Sequence, residues 1–142
     1  MIKIKIIFSI SGDKLDSEQL LKKFLDERLT IGTYFSPDDL NKYNQMKFGF
    51  GYISFMHPMV FSNQENIEDY EATFINFLLD NYSFFSEFGA KDFQFFHEVY
   101  YDDDQCNFEI FNSKILTKIG HINISMPVSV YHLTKSEFED LS

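Results

Sequence analysis

Tryptophan is absent, cysteine occurs once, and no apolar run in the 142 residues is long enough to cross a membrane. The single Cys106 excludes an internal disulfide. The apolar start, Met1-Ile2-Lys3-Ile4-Lys5-Ile6-Ile7, is interrupted by lysines, so it reads as neither a signal-peptide core nor a membrane span. A reducing, cytoplasmic setting is therefore expected. Basic residues are scarce, with 12 Lys and Arg against 22 Asp and Glu. No basic stripe exists for nucleic acid. Gly49 and Gly51 have no phosphate-loop lysine beside them, which leaves nucleotide binding unsupported. There is no internal repeat, linker or low-complexity segment.

Apolar residues make up 44% of the chain, enough for one core, and 18 Phe with 8 Tyr make that core aromatic. A chain this short cannot hide every ring, so some Phe must reach the surface. The formal charge of −10 is unevenly placed. Residues 1–64 carry 7 acids and 8 bases, residues 65–104 carry 11 acids and the single base Lys91, and residues 105–142 carry 4 acids and 3 bases. The middle segment thus holds the whole imbalance. Its field repels phosphate backbones and attracts basic partners. The plainer account is that acidity only aids solubility, and the concentration in one segment sets the partner reading level with it.

Ile2, Ile4, Ile6, Phe8 and Ile10 alternate with Lys3, Lys5, Ile7, Ser9 and Ser11, which predicts a strand ended by Gly12-Asp13. Asp16 with Gln19 has the spacing of a capping box, and Leu15 with Leu20 that of a hydrophobic staple. A helix is expected over 17–26, with Leu20, Leu21, Phe24 and Leu25 on one face. Residues 30–35 and 47–56 are rich in β-formers and read as two strands around a turn at Ser36-Pro37-Asp38-Asp39. The longest helical pattern covers 65–88, with Ser62 and Glu65 as a capping box and Gly89 just past its end. Alternation over 93–101, the acidic turn Asp102-Asp103-Asp104, and 106–111 read as a hairpin with a return strand. A short helix capped by Asn112 or Ser113 and stopped by Gly120 follows, then a last strand over 122–130 in which Pro127 demands an edge or a bulge. Residues 132–142 read as a short surface helix or a frayed tail. The expected fold is one α+β domain over 1–142. It has a single mixed, mostly antiparallel sheet with one long and two short helices mainly on one face, and its first and last strands share that sheet.

Catalytic signals are thin. His97-Glu98 opens like a zinc-protease motif, but the second histidine is missing. A metal site built from His97, Cys106 and His121 has only their presence to recommend it. A Cys106–His97 nucleophile pair across the hairpin is the sharper reading, and a small half-buried cysteine the better one. Asp102-Asp103-Asp104 lacks the glycine and distant glutamate of a calcium loop. No cofactor or metal is expected. The residues expected to meet a partner are the acids Glu65, Glu68, Asp69, Glu71, Glu98, Asp102, Asp103 and Asp104.

Two stretches carry a resemblance. From Ile6 to Phe24 a strand is followed by Ser11-Gly12-Asp13 and a capped helix. From Phe108 to Tyr131 a strand and a short Leu/Ile helix precede Ile122-Asn123-Ile124-Ser125 and the final Tyr. Together they resemble the opening and the ending of a bacterial domain family whose members look like immunity proteins encoded beside polymorphic, contact-dependent growth inhibition toxins. That family tends to carry a central Trp, where this chain has Tyr52. The resemblance implies an immunity protein that neutralises a toxin by direct contact. Independently, an acidic, compact chain without catalytic motifs suits a non-enzymatic binder of a basic, nuclease-type toxin, expected as a monomer in a 1:1 complex, without nucleic acid or membrane. An acidic chaperone for a secreted effector is the alternative binding class, and a small hydrolase or ligand-binding enzyme the alternative outside it.

Overall fold

Alternation at the start of the chain builds the central strand. A computed structural model describes residues 1–142, and in it β1 spans Ile2–Gly12. Ile4, Ile6, Phe8 and Ile10 are buried on one side, while Lys3, Lys5, Ile7, Ser9 and Ser11 belong to the other. On one flank β1 pairs antiparallel with β3 (Gly51–Met56) and the short β4 (Ser62–Asn63). On the other it pairs antiparallel with β5 (Asp92–Tyr101). β2 (Thr30–Phe35) forms the edge beyond β3, with a register shift between Ile31 and Tyr34. β6 (Ile124–Ser125) and β7 (Val128–His132) both run parallel to β5. The sheet is therefore mixed and mostly antiparallel, in the order β2-β3-β1-β5-β6, and the first and last strands lie in it together.

The helices are α1 (Ser17–Lys23), α2 (Ile67–Glu87), α3 (Ser113–Ile119) and α4 (Lys135–Glu139). α2 buries Tyr70, Phe74, Phe77, Leu78 and Phe85. Phe8 sits at the centre, with the rings of Phe95, Phe55, Phe77 and Phe85 at 4.9, 5.9, 6.0 and 6.2 Å. Three neighbouring strands and one helix thus meet in a cluster of phenyl rings, each contributing roughly 1.5–3 kcal/mol by burial. α2 ends in a Schellman pattern, in which Ala90 N–H donates to Phe85 C=O at 3.0 Å and Gly89 N–H to Ser86 C=O at 3.1 Å. Gly89 holds φ +103, and a Cβ there would lie 2.5 Å from the Lys14 carbonyl oxygen, so both conformation and space require glycine. No helix is long and apolar enough to cross a membrane.

Several expectations are corrected. The first helix stops at Lys23, because Phe24 turns extended; Leu25 is left 89% exposed rather than on the apolar face. The strand expected over 47–56 begins only at Gly51. Ser62 does not cap α2. It lies in β4 and donates its hydroxyl to Ile4 C=O, and Asn66 takes the N-cap position without a side-chain bond. The return strand over 106–111 does not form. Phe111 is fully buried with φ +48, its ring 5.2 Å from those of Phe95 and His97, so the chain leaves the sheet edge to place that ring in the core. It then crosses over through α3 and returns parallel to β5, as a crossover connection demands. The last strand breaks at Met126-Pro127, where Pro127 has no N–H to give and its carbonyl accepts from His97 N–H at 2.9 Å. The tail is ordered. α4 carries a full capping box of Thr134 and Glu137, buries Phe138, and is held by Lys3 Nζ donating to Phe138 C=O and Leu141 C=O at 3.0 and 2.8 Å. Short helices therefore number three, and α4 docks at Lys3, on the side away from α2.

Candidate functional site at the acidic end of the sheet

Antiparallel pairing places distant acids together. Ile2 lies opposite Tyr101, so the start of β1 adjoins the Asp102-Asp103-Asp104 turn. Lys3 lies opposite Asn63 of β4, so the same end of β1 adjoins the start of α2, where Glu68 and Asp69 stand exposed in the first turn just after Glu65. The terminal ammonium of Met1 donates to Asp102 Oδ1 at 2.8 Å and to Asp103, and this holds the Asp102 carboxyl below its usual range. Asp104 is exposed.

Of the remaining two expected contact acids, Glu98 is off this surface and Glu71 is buried at its margin. Glu98 lies half-buried on the sheet face away from α2, 3.6 Å from Lys5 Nζ, and accepts from the Tyr100 hydroxyl at 2.6 Å. Burial first, and then this carboxylate, push the Tyr100 phenol up. Glu71, one turn into α2, is only 4% exposed, and its Oε1 has no hydrogen-bond partner. It lines a pocket of about 200 Å³ walled by Ile2, Ile4, Ile67 and Phe108, to which Glu68 and Glu109 also contribute. Burial pushes its carboxyl up to about 7; the nearby Phe111 amide offsets part of this, and the charges of Glu109 and Glu68 add to it. Glu109 was not among the expected residues. It was hidden because 106–111 read as a strand, and because its segment carries little net charge.

His97 is fully buried. Its Nδ1 lies 3.3 Å from Phe95 C=O and its Nε2 has no partner. Burial lowers it to about 4, so it is neutral at ordinary pH. With no hairpin, Cys106 does not face it across a strand pair, and burial raises the Cys106 thiol, which disfavours a thiolate. His97, Cys106 and His121 are not brought together as metal ligands.

A second surface was legible only in part. The rings of Phe35 and Phe48 stack at 3.7 Å, with Phe50 and Tyr52 at 5.2 and 5.5 Å from Phe35. Next to them, Ser9, Ser11 and Gln94 line a shallow depression of about 340 Å³. Phe48-Gly49-Phe50-Gly51-Tyr52 was the signal available for it, and the glycines flanking Phe50 announced only a bulge or a close backbone approach. Comparison with known proteins finds no matching family model, no matching curated protein and no matching solved structure, so any functional reading rests on the geometry of this chain and the resemblance noted above.

Proposed function

We propose that the protein is an immunity-type binder, acting in the cytoplasm, that captures and neutralises a basic, nuclease-type toxin domain in a 1:1 complex through the acidic end of its sheet. One observation carries the reading: acids far apart in sequence, Glu65, Glu68 and Asp69 on one side and Asp102, Asp103 and Asp104 on the other, flank the same end of β1. A field concentrated at one end raises association rates with a basic partner by roughly 10- to 1000-fold over an unsteered encounter, and speed matters for an antidote. Glu65, Glu68, Asp69 and Asp104 are exposed and free of ion pairs, and such acids contribute about 0–1 kcal/mol each to folding, so they can be reversed without unfolding the chain.

The test needs a basic toxin domain, to be sought first in the neighbouring gene. Glu65, Glu68, Asp69 and Asp104 are changed together to Lys, and association rates are measured at low and high salt. The wild-type rate is expected to fall with salt, and the variant to associate slowly at both, with a nearly unchanged melting temperature. Equal, salt-independent rates for both proteins would overturn the reading. The effector-chaperone reading has its own observation in its favour. The edge strand β2 exposes Ile31 and Tyr34, and Leu40, Tyr43 and Met46 follow on the next loop, which suits binding of an extended apolar segment. Capture of an unfolded secreted effector with loss of binding in Ile31→Lys would select it.

A further inference from the structure

We propose that the pocket between the start of α2 and the 105–112 loop receives one basic side chain of the protein partner, its stem against Ile2, Ile4, Ile67 and Phe108 and its charged head against Glu71. This rests on the reading above and names the anchor within it.

The argument starts from an unmet group. A carboxylate oxygen buried to this degree almost always has a partner, and leaving it without one costs free energy. Glu71 Oε1 has none within the chain, and it belongs to a side chain that lines an open pocket. Lys3 and Lys5, the bases closest in sequence to the pocket wall, belong to the opposite side of β1 and are engaged with α4 and with Glu98. No side chain, the lining amides of Asn63, Gln64, Asn107 and Asn112 included, donates to Glu71 Oε1, which leaves that position open to a donor from a partner.

Size and lining then choose the donor. Small-molecule sites usually measure about 300–1,000 Å³; this pocket, at about 200 Å³, is nearer the room needed by one long side chain. Four apolar residues of the eleven that line it, Ile2, Ile4, Ile67 and Phe108, give a methylene stem a surface to lie on, while a carboxylate at depth and Glu68 and Glu109 beside it suit a cation. Arginine fits best, because a weakly hydrated planar guanidinium loses least on leaving water and has five donors for several acceptors.

The charges of Glu68 and Glu109 help burial to keep Glu71 protonated near neutrality. An entering cation reverses that balance and displaces the proton. Capture should therefore release a proton and weaken as pH falls below about 7. The groups that set this are Glu68 on α2 and Glu109 on the loop. His97, which flanks the same Phe111 ring, stays neutral through that range.

The experiment separates the pocket from the partner. n-Butylguanidinium is titrated into the isolated protein and followed by methyl and carboxyl NMR, with n-butylurea as the neutral isostere. The guanidinium is expected to shift the Ile2, Ile4 and Ile67 signals with a millimolar midpoint and to move the Glu71 titration below 7; butylurea should do neither. Glu71→Gln should abolish the response while leaving the rest of the spectrum in place. Equal shifts from butylurea, a persistent response in Glu71→Gln, or no response at all would overturn the pocket. A micromolar midpoint for the free probe would mark a small-molecule site and overturn the side-chain assignment. With the basic partner in hand, Glu71→Gln should weaken binding roughly 10- to 100-fold, chiefly through faster dissociation. Unchanged dissociation would overturn the anchor. Failure to find any basic partner, with the probe titration as expected, would defeat the functional reading alone.

Discussion

The two sides of the sheet use the same strands and obey different rules. On the α2 side, Phe8, Phe55, Phe74, Phe77, Phe85 and Phe95 are fully buried, and Ser62 and His97 are the polar strand residues buried with them. On the other side, Lys5, Ser9, Gln94, Glu98 and Tyr100 are interleaved with Ile7 and Phe96, and polar groups find partners within the sheet, as Glu98 does with Lys5 and Tyr100. Alternation tells which residues share a side. Which side is sealed depends on where the long helix lands.

The largest expected break in this comparison is at adjacent positions of β1. Phe8→Ala should cost about 3–5 kcal/mol in urea denaturation, a large part of a typical domain's stability. Ile7→Ala, on the half-covered side, should cost about 1 kcal/mol. Equal costs would mean that the second side is also covered in solution, for example by another copy of the chain.

Next in size is a pair of opposed pH effects at the margin of the sealed side. Glu71 has a folded pKa raised from 4.5 to about 7, so the folded state holds a proton that the unfolded state has lost. Its contribution is fully present below about 4.5 and lost as pH rises through about 7. His97 is lowered from 6.5 to about 4. Its contribution is present above 6.5 and lost as pH falls through about 4. Between about 4.5 and 6.5 the two slopes have opposite signs and largely cancel. Relative to wild type, Glu71→Gln should gain stability as pH rises from 4.5 to 7.5, and His97→Gln as pH falls from 7 to 4. Each gain is up to about 3 kcal/mol across its window. Chemical denaturation at several pH values measures both. Parallel profiles for the two variants would show that these groups do not titrate as placed.

A smaller effect is expected at Tyr70, whose hydroxyl accepts from Ile6 N–H at 3.1 Å and donates to Val60 C=O at 2.8 Å. Tyr70→Phe keeps the ring and orphans both backbone groups, a loss of about 1–2 kcal/mol. Hydrogen exchange at the Ile6 amide should quicken with it. The smallest effect belongs to the open side. Lys5→Ala should change stability by less than about 1 kcal/mol, because the Lys5–Glu98 pair is partly solvated and 3.6 Å apart. A loss as large as that of Tyr70→Phe would erase the distinction between the two sides.

Where local signals carried the fold, they carried it well. The Asp16 cap, the burial of Leu15 and Leu20 and the Gly89 terminus involve residues within a few positions of one another, and each was visible in the sequence. The segment 102–112 misled because Cys106 to Phe111 alternates like a strand; Phe111 follows the core instead, meeting Phe95 and His97. The candidate site was half legible. The concentration of acids in 65–104 was plain, but the count treated Glu71, Glu98 and Asp104 alike, although one is buried, one is paired and one is exposed.

The sequence by itself determined the α+β class, the central strand with its two sides, the long aromatic helix and the seat of the negative charge. These follow from periods of two and 3.6 residues and from composition, which are properties of neighbours along the chain. Only the tertiary structure decided that β6 and β7 return parallel to β5, that α4 docks on Lys3, and that Glu71 closes a pocket with an oxygen left without a partner. Each of these depends on residues tens of positions apart meeting in space. Burial and pairing of that kind are set by the packing of the whole sheet, not by any local pattern.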